Sequence, residues 1–326
     1  MRPIPPLAFT LIELLIVVGI IAVLLAILLP TLSKARRSAA VLASPIAYTG
    51  IDQAVHLTDP SGISDLYVCK VASSGCPVCH APPVWSPLGQ TIAVTTPIAA
   101  NAYRPALIEP ASARKKIWAN SSVSFIGWMD SQQYLQSAGP YNPSIVRVDN
   151  GVERTIDNHA AQFEFIAPAP VHSPGRYIGM FYDPQRDASG RTGDVIAFFR
   201  KDLMPGKWIW REPRASQNAQ AQLQPRVDPF GEYVAWTLIR GGRAYVAMKG
   251  VKDPSSLTPS LLGDNYSGGA YFCDWTEQGD LLANVYAGTW KLMVLRRRDG
   301  SVAREMGTAI APAEGVVASY RKYEHR

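Results

Sequence analysis

The sequence has little charge and few cysteines for its length. Only 18% of its 326 residues are charged, and four are cysteine. Lys and Arg number 32 against 26 Asp and Glu, a formal +6 scattered along the chain rather than gathered into a patch. That excludes the electrostatic footprint of a nucleic-acid binder. The five histidines, His56, His80, His159, His172 and His325, form no H-E-x-x-H and no paired metal spacing. Asn265-Tyr266-Ser267-Gly268-Gly269 lacks the leading glycine of the G-x-S-x-G nucleophile turn, so it reads as a turn between strands. Beyond residue 43 no amphipathic helical stripe is present. With 26 Pro and 25 Gly a helical bundle is disfavoured, and at 47% hydrophobic so is a disordered chain. Long apolar runs are missing too, with one exception.

That exception covers Phe9 to Leu29, whose 21 residues carry Thr10 and Glu13 as the plainly polar members. At 1.5 Å per residue the run is about 31 Å long, the thickness of a bilayer's hydrocarbon core. It is apolar on every face, unlike a striped core helix. A cleaved secretory signal has a shorter apolar region followed by a small-x-small site, whereas Pro30-Thr31-Leu32-Ser33-Lys34 follows Leu29 here. The run is therefore read as a transmembrane helix that stays on the protein. Helix-forming residues continue it through Ser33 to Leu42, and Pro45 ends it. Glu13 costs on the order of 3 kcal/mol inside lipid. No Lys or Arg stands one helical turn away in the sequence, so its partner is expected from elsewhere.

The stretch Ala8-Phe9-Thr10-Leu11-Ile12-Glu13-Leu14-Leu15, the apolar run and Pro30 together resemble the N-terminus of type IV pilins and type II secretion pseudopilins. The resemblance implies that a prepilin peptidase cuts between Ala8 and Phe9 and that Phe9 is then methylated. It implies that Glu13 neutralises the N-terminal amine of a neighbouring subunit during assembly, and that Pro30 occupies the family's helix-kinking position. Ala8 stands where the family prefers glycine, which implies a slower cut. Lys34, Arg36 and Arg37 follow the span, against one Arg in the leader; the positive-inside rule alone would reverse the orientation. The motif sets it instead, with the leader in the cytoplasm and the C-terminal domain periplasmic or extracellular, the chain crossing the inner membrane once.

The remainder reads as short strands: Asp65 to Val71, Thr91 to Val94, Ser124 to Trp128, Asp194 to Phe199 and Ala244 to Met248. A unit recurs among them, a tight Ser/Asp-Pro-x-Gly turn followed by an alternating strand. Its copies are Trp85 to Ala93, Val227 to Ala235, the shorter His172 to Ile178, and the looser Cys273 to Ala283 and Ala311 to Ala318. A degenerate copy is expected near Trp128-Met129-Asp130. The period, about 43 residues, is that of a four-stranded propeller blade. This is similar to the TolB-type (WD40-like) β-propeller repeat. The expected fold class is mainly β: a transmembrane helix, then a six-bladed β-propeller, with a sandwich or solenoid as the alternative. Asp65 to Val71 is placed as an outer strand of the first blade, and Gly315 to Tyr320 as the segment that closes the ring. The expected organisation is a leader at 1–8, an assembly helix at 9–44 and the propeller at 45–326.

Outside the cytoplasm an even number of cysteines suggests disulfides. Cys76-Pro77-Val78-Cys79-His80 also has the spacing of a c-type haem attachment. It lies between two strands, with Pro77, Pro82 and Pro83 opposing a helix, so a loop disulfide of Cys69 to Cys76 or Cys79 is preferred to haem or metal. No cofactor and no catalytic residue is expected. The tryptophans Trp208, Trp210, Trp236 and Trp290 are read as blade packing rather than a ligand cage. The expected function is a minor or tip subunit of a pilus or secretion filament, contacting other pilin-like subunits, the membrane, and a secreted protein or surface ligand on the propeller. The rival classes are a membrane-anchored propeller module that never polymerises and, more weakly, an electron carrier. Heights of absorbance in the Soret region separate the last.

Overall fold

The computed structural model describes residues 11–70, 82–99, 102–112, 114–117, 123–137, 143–156, 162–183, 193–203, 205–213, 222–252, 260–262, 266–307, 312–313 and 318–321. One helix, α1 (Leu11–Ala43), precedes six four-stranded antiparallel sheets. The chain is mainly β and forms a six-bladed propeller.

The helix runs unbroken through Pro30. Proline removes a backbone donor there. The adjoining hydroxyls bond back to the helix, Thr31 Oγ1 donating to Leu28 O at 2.8 Å and Ser33 Oγ to Pro30 O at 2.9 Å. Every residue from Leu11 to Arg36 is exposed, and Val41 is the buried one.

In five blades the strands follow chain order from the axis outward. Blade two holds Val84–Trp85, Ile92–Ala99, Ala102–Glu109 and Arg114–Lys116. Blade three holds Ser124–Trp128, Gln133–Ser137, Pro143–Arg147 and Glu153–Thr155. Blade four holds Gln162–Pro168, Tyr177–Asp183, Gly193–Phe199 and Pro205–Pro213. Blade five holds Gln222–Val227, Tyr233–Arg240, Arg243–Gly250 and Ser260–Leu262; blade six holds Ala270–Trp275, Leu281–Tyr286, Trp290–Leu295 and Val302–Glu305. Blade one departs from this order. Its innermost strand is the C-terminal Ala318–Tyr320, followed outward by Ile46–Thr49, Ala54–Thr58 and Asp65–Lys70. Ile46 pairs with Tyr320, and Tyr48 with Ala318. The two ends of the domain thus share one sheet and close the ring, as expected from the sequence.

Burial follows this order. Second strands are covered on both faces, as at Tyr233–Arg240, because neighbouring blades stack against each side. The outermost strands Arg114–Lys116, Glu153–Thr155 and Val302–Glu305 are short and exposed along their length. Their charges discourage a foreign strand from adding to the edge. One apolar cluster fills each cleft between neighbours. Val84, Trp128 and Tyr134 share the second-to-third cleft, and Tyr48, Leu282 and Tyr320 the sixth-to-first. Buried Trp236 lies in one of these layers, as expected, and Trp128 and Trp275 lie in others.

The repeated turn is real and has a defined hydrogen-bond pattern. Gly89 N donates to Ser86 O at 2.8 Å, Gly231 N to Asp228 O at 3.1 Å, and Gly279 N to Thr276 O at 3.1 Å. These three glycines have φ of 64°, 72° and 79°, the left-handed region that excludes most side chains. Blade three builds its turn without Pro or Gly, by an Asx bond from Gln132 N to Asp130 Oδ1 at 2.7 Å. Two parts of the repeat reading need correction. Gly175 is not among the left-handed glycines; what it supplies is room, since a Cβ there would lie 2.8 Å from Phe199 O. In the fifth copy, Pro312 and Ala313 lead into the closing strand instead of following an innermost one. The repeat is broken there because blade one is assembled from both ends of the domain.

Candidate binding funnel at the propeller axis

The innermost strands all run the same way and end on one face, called here the exit face. Strand direction alternates outward, so the turns from innermost to second strand and from third to outermost strand share that face. At its centre the strand ends enclose a cavity of about 170 Å³. Its walls are mostly apolar: Trp85, Trp128, Ile166, Pro168 and Pro170 line it. Every blade contributes, blade one through Tyr320.

Two lining residues are charged, Arg226 of blade five and Asp274 of blade six. They are 6% and 1% exposed, with Arg226 Nε 3.7 Å from Asp274 Oδ1. Asp274 is held by backbone donors. Trp275 N donates to its Oδ1 at 2.9 Å, and Tyr320 N, from the closing strand, to its Oδ2 at 3.0 Å. The carboxylate thereby ties blade six to blade one. The Arg226 guanidinium lies over the Phe165 ring of blade four, 5.3 Å from its centroid. Among the described residues its Nε and Nη2, both buried, meet no hydrogen-bond acceptor. Unfilled guanidinium donors at the wall of an apolar cavity favour an acceptor-bearing guest, a carboxylate or an amide carbonyl.

The rim is stitched by further bonds between neighbouring innermost strands. Trp128 Nε1 donates to Val84 O at 3.0 Å, and Trp275 Nε1 to Arg226 O at 2.9 Å, the same bond in the second-to-third and fifth-to-sixth clefts. Trp85 N donates to Ser319 Oγ at 3.2 Å, adding to the closure. The funnel's shape is therefore fixed before any guest arrives.

Sequence reasoning missed Arg226 and Asp274, although a signal exists. Both stand five residues before a turn glycine, Gly231 and Gly279, where blade two has the apolar Val84 before Gly89. Aligning the repeats on their glycines places opposite charges at one position of adjacent blades.

The residues expected from sequence lie elsewhere. Glu13 is in the first turn of α1 and Pro30 within it; Ala8 and Phe9 fall outside the described residues. Cys69, next to last in the outermost strand of blade one, has a thiol that pairs with no other described cysteine. Burial pushes that thiol up from its ordinary value, against the pull of Lys115, which keeps it protonated and a poor nucleophile. Cys76, Cys79 and His80 lie outside the described residues, so the loop disulfide stands as an expectation. Among the described residues no group of three metal-ligating side chains converges.

One exit-face loop carries a testable pH dependence. Asp59 is partly buried, which opposes ionisation, but the hydroxyls and amides of Ser61 and Ser64 hold its carboxyl well below the usual carboxylate range. Ser61 N lies 2.7 Å and Ser64 N 2.9 Å from its oxygens. A lowered folded-state pKa means the stabilisation is present above the unfolded value of about 3.9 and fades as pH falls from there toward the folded value. Protection of the Ser61 and Ser64 amides, their exchange measured against the intrinsic rate at each pH, is expected to fall across that acidic window. Asp59→Asn removes the step; an unchanged pH profile in that variant contradicts the assignment.

No protein-family model matches the sequence, and no curated protein matches it. Among solved structures the chain is similar to TolB from Acinetobacter baumannii, at 14% identity and a TM-score of 0.51, covering 83% of this chain and 67% of that one. It is also similar to a chain of a nidogen/laminin complex, at 9% identity and a TM-score of 0.55, covering 85% of this chain and 98% of that one. Likeness at these identities is one of fold: a TolB-like β-propeller.

Proposed function

We propose that this chain is a membrane-inserted, pilin-like or pseudopilin-like subunit that carries a TolB-like propeller as a contact module outside the cytoplasm. The carrying observation is the Ala8-to-Leu15 stretch with Glu13 in the first turn of a helix that its own chain leaves uncovered from Leu11 to Arg36. A prepilin peptidase removes residues 1–8, and the helix holds the chain as a single pass in the inner membrane. The propeller works by binding rather than catalysis, and its funnel takes an acceptor-bearing segment of a secreted protein or surface ligand against Arg226.

Size argues for a minor or tip position. A compact domain of this length has a radius of gyration of about 19 Å and a diameter of roughly 48 Å. Bundled pilin helices displace successive subunits by far less, so neighbouring propellers collide in a homopolymer. The same crowding favours a second reading, a membrane-anchored propeller that does not polymerise.

Glu13→Ala separates the two. The variant remains inserted and processed, because it removes a cost in lipid of about 3 kcal/mol rather than a topogenic signal. A filament subunit then loses co-purification with other pilin-like subunits, while an anchored module is unaffected. Unchanged co-assembly counts against the pairing of Glu13 with a neighbour's amine.

A further inference from the structure

The helix and the funnel share a face. Pro45 O accepts a hydrogen bond from Arg321 N at 2.7 Å, which places the start of blade one beside the end of its innermost strand, on the exit face. Arg321, 2% exposed and stacked over Trp85, donates to Leu42 O and so caps the helix C-terminus. Arg37 Nε donates to Pro110 O at 3.0 Å, in the exit-face turn of blade two. Val41 enters the cleft between blades one and two, among Val55, Trp85 and Ile92. A helix lying across the face would bury one residue in every three or four. None from Leu11 to Arg36 is buried, so α1 leaves the face within two turns and projects away from it.

The same face carries exposed apolar loop tips. Ile63 of blade one is 79% exposed, Val152 of blade three 58%, Val171 of blade four 93% and Phe230 of blade five 53%. Each lies in a turn of the exit face, on blades distributed around the ring. Exposed cations accompany them, Lys34 and Arg36 on the helix, Lys201 on blade four, and Arg296 and Arg298 on blade six. Two of the neighbouring carboxylates are neutralised by pairing, Asp149 with Arg147 at 2.7 Å and Asp202 with Arg200 at 3.2 Å.

Helix length then sets the spacing. From Leu29, the end of the apolar run, to Arg37 is eight residues, or about 12 Å. The headgroup layer on each side of the hydrocarbon takes up about 5–7 Å of that. Protruding turns on the exit face therefore reach the headgroups.

We propose that the exit face lies against the bilayer that holds α1, with the apolar tips of Ile63 and Val171 at the lipid interface and the funnel mouth turned toward the membrane. The occupant of this face is the phospholipid surface, selected by continuity with the spanning helix, the short stalk and the flanking cations, which anionic headgroups attract. The inference rests on the membrane-spanning part of the function proposed above and concerns the subunit before any filament takes it up. Its consequence is that the funnel's guest arrives from the membrane side.

The test uses the full chain in nanodiscs of phosphatidylethanolamine and phosphatidylglycerol. The photocrosslinker p-benzoylphenylalanine replaces one residue at a time: Ile63 and Val171, on opposite sides of the ring; Ile51, 71% exposed in a turn of the other face; and Ile20 in the helix. Intact mass after irradiation reports phospholipid adducts. Adducts at 20, 63 and 171 with none above background at 51 support the proposal. An adduct at 20 with none at 171, or with protein adducts in place of lipid at 63 and 171, overturns it and leaves the spanning helix standing. No lipid adduct at 20 overturns both.

Discussion

Gly127→Ala is expected to cost about 3 kcal/mol or more of stability, the upper end of the range for overpacking a closed interior. Gly127 lies on the innermost strand of blade three, and a Cβ built there falls 1.7 Å from Ile166 O on the innermost strand of blade four. The obstacle is a backbone carbonyl rather than the end of a flexible side chain, so no rotamer change relieves it. The two strands would have to move apart, opening the cleft where Ile126, Phe163 and Phe199 pack. A closed ring transmits that displacement to its remaining clefts, because its circumference is fixed by contact all round. The measurement is denaturant unfolding of the full chain, with Gly19→Ala as a control whose added Cβ meets nothing within 4 Å. An unshifted midpoint in Gly127→Ala contradicts the close approach of blades three and four.

Asp274→Ala is expected to cost about 3–5 kcal/mol, the range found when one partner of a buried ion pair is removed. The loss has two sources. Arg226 keeps its charge in an apolar setting without the carboxylate 3.7 Å away, and Tyr320 N loses its acceptor in the strand that closes the ring. Removing both charges together, in Arg226→Met with Asp274→Leu, is expected to cost less than Asp274→Ala alone, because no unpaired ion is left buried. A double variant as unstable as the sum of its parts would assign the loss to ring closure rather than to charge. Fluorescence-monitored unfolding distinguishes these outcomes, since Trp275 adjoins the pair.

The helix and the turn repeat were legible in the sequence because both are local. An unbroken apolar run announces itself, and Ser86-Pro87-Leu88-Gly89 and Asp228-Pro229-Phe230-Gly231 carry their backbone conformation in their own residues. The closing strand was legible once the repeat was recognised, since an open ring leaves two unpaired edges. The funnel was not. Arg226 and Asp274 are 48 positions apart in sequence and meet because adjacent blades bring equivalent strand ends to one axis. The role of Gly127 was equally hidden, since the clash it avoids is with a strand of another blade. Met129 to Gln132 turned without the expected residues because Asp130 supplies the bond that Pro and Gly provide elsewhere.

Mass spectrometry of the mature N-terminus, on full chain purified from membranes that contain a prepilin peptidase, tests the central claim most directly. The account predicts a chain that begins at Phe9 with a methylated amine and retains the whole of the apolar helix. A chain that still begins at Met1, or one cut beyond Leu29 so that the helix is lost, would contradict it.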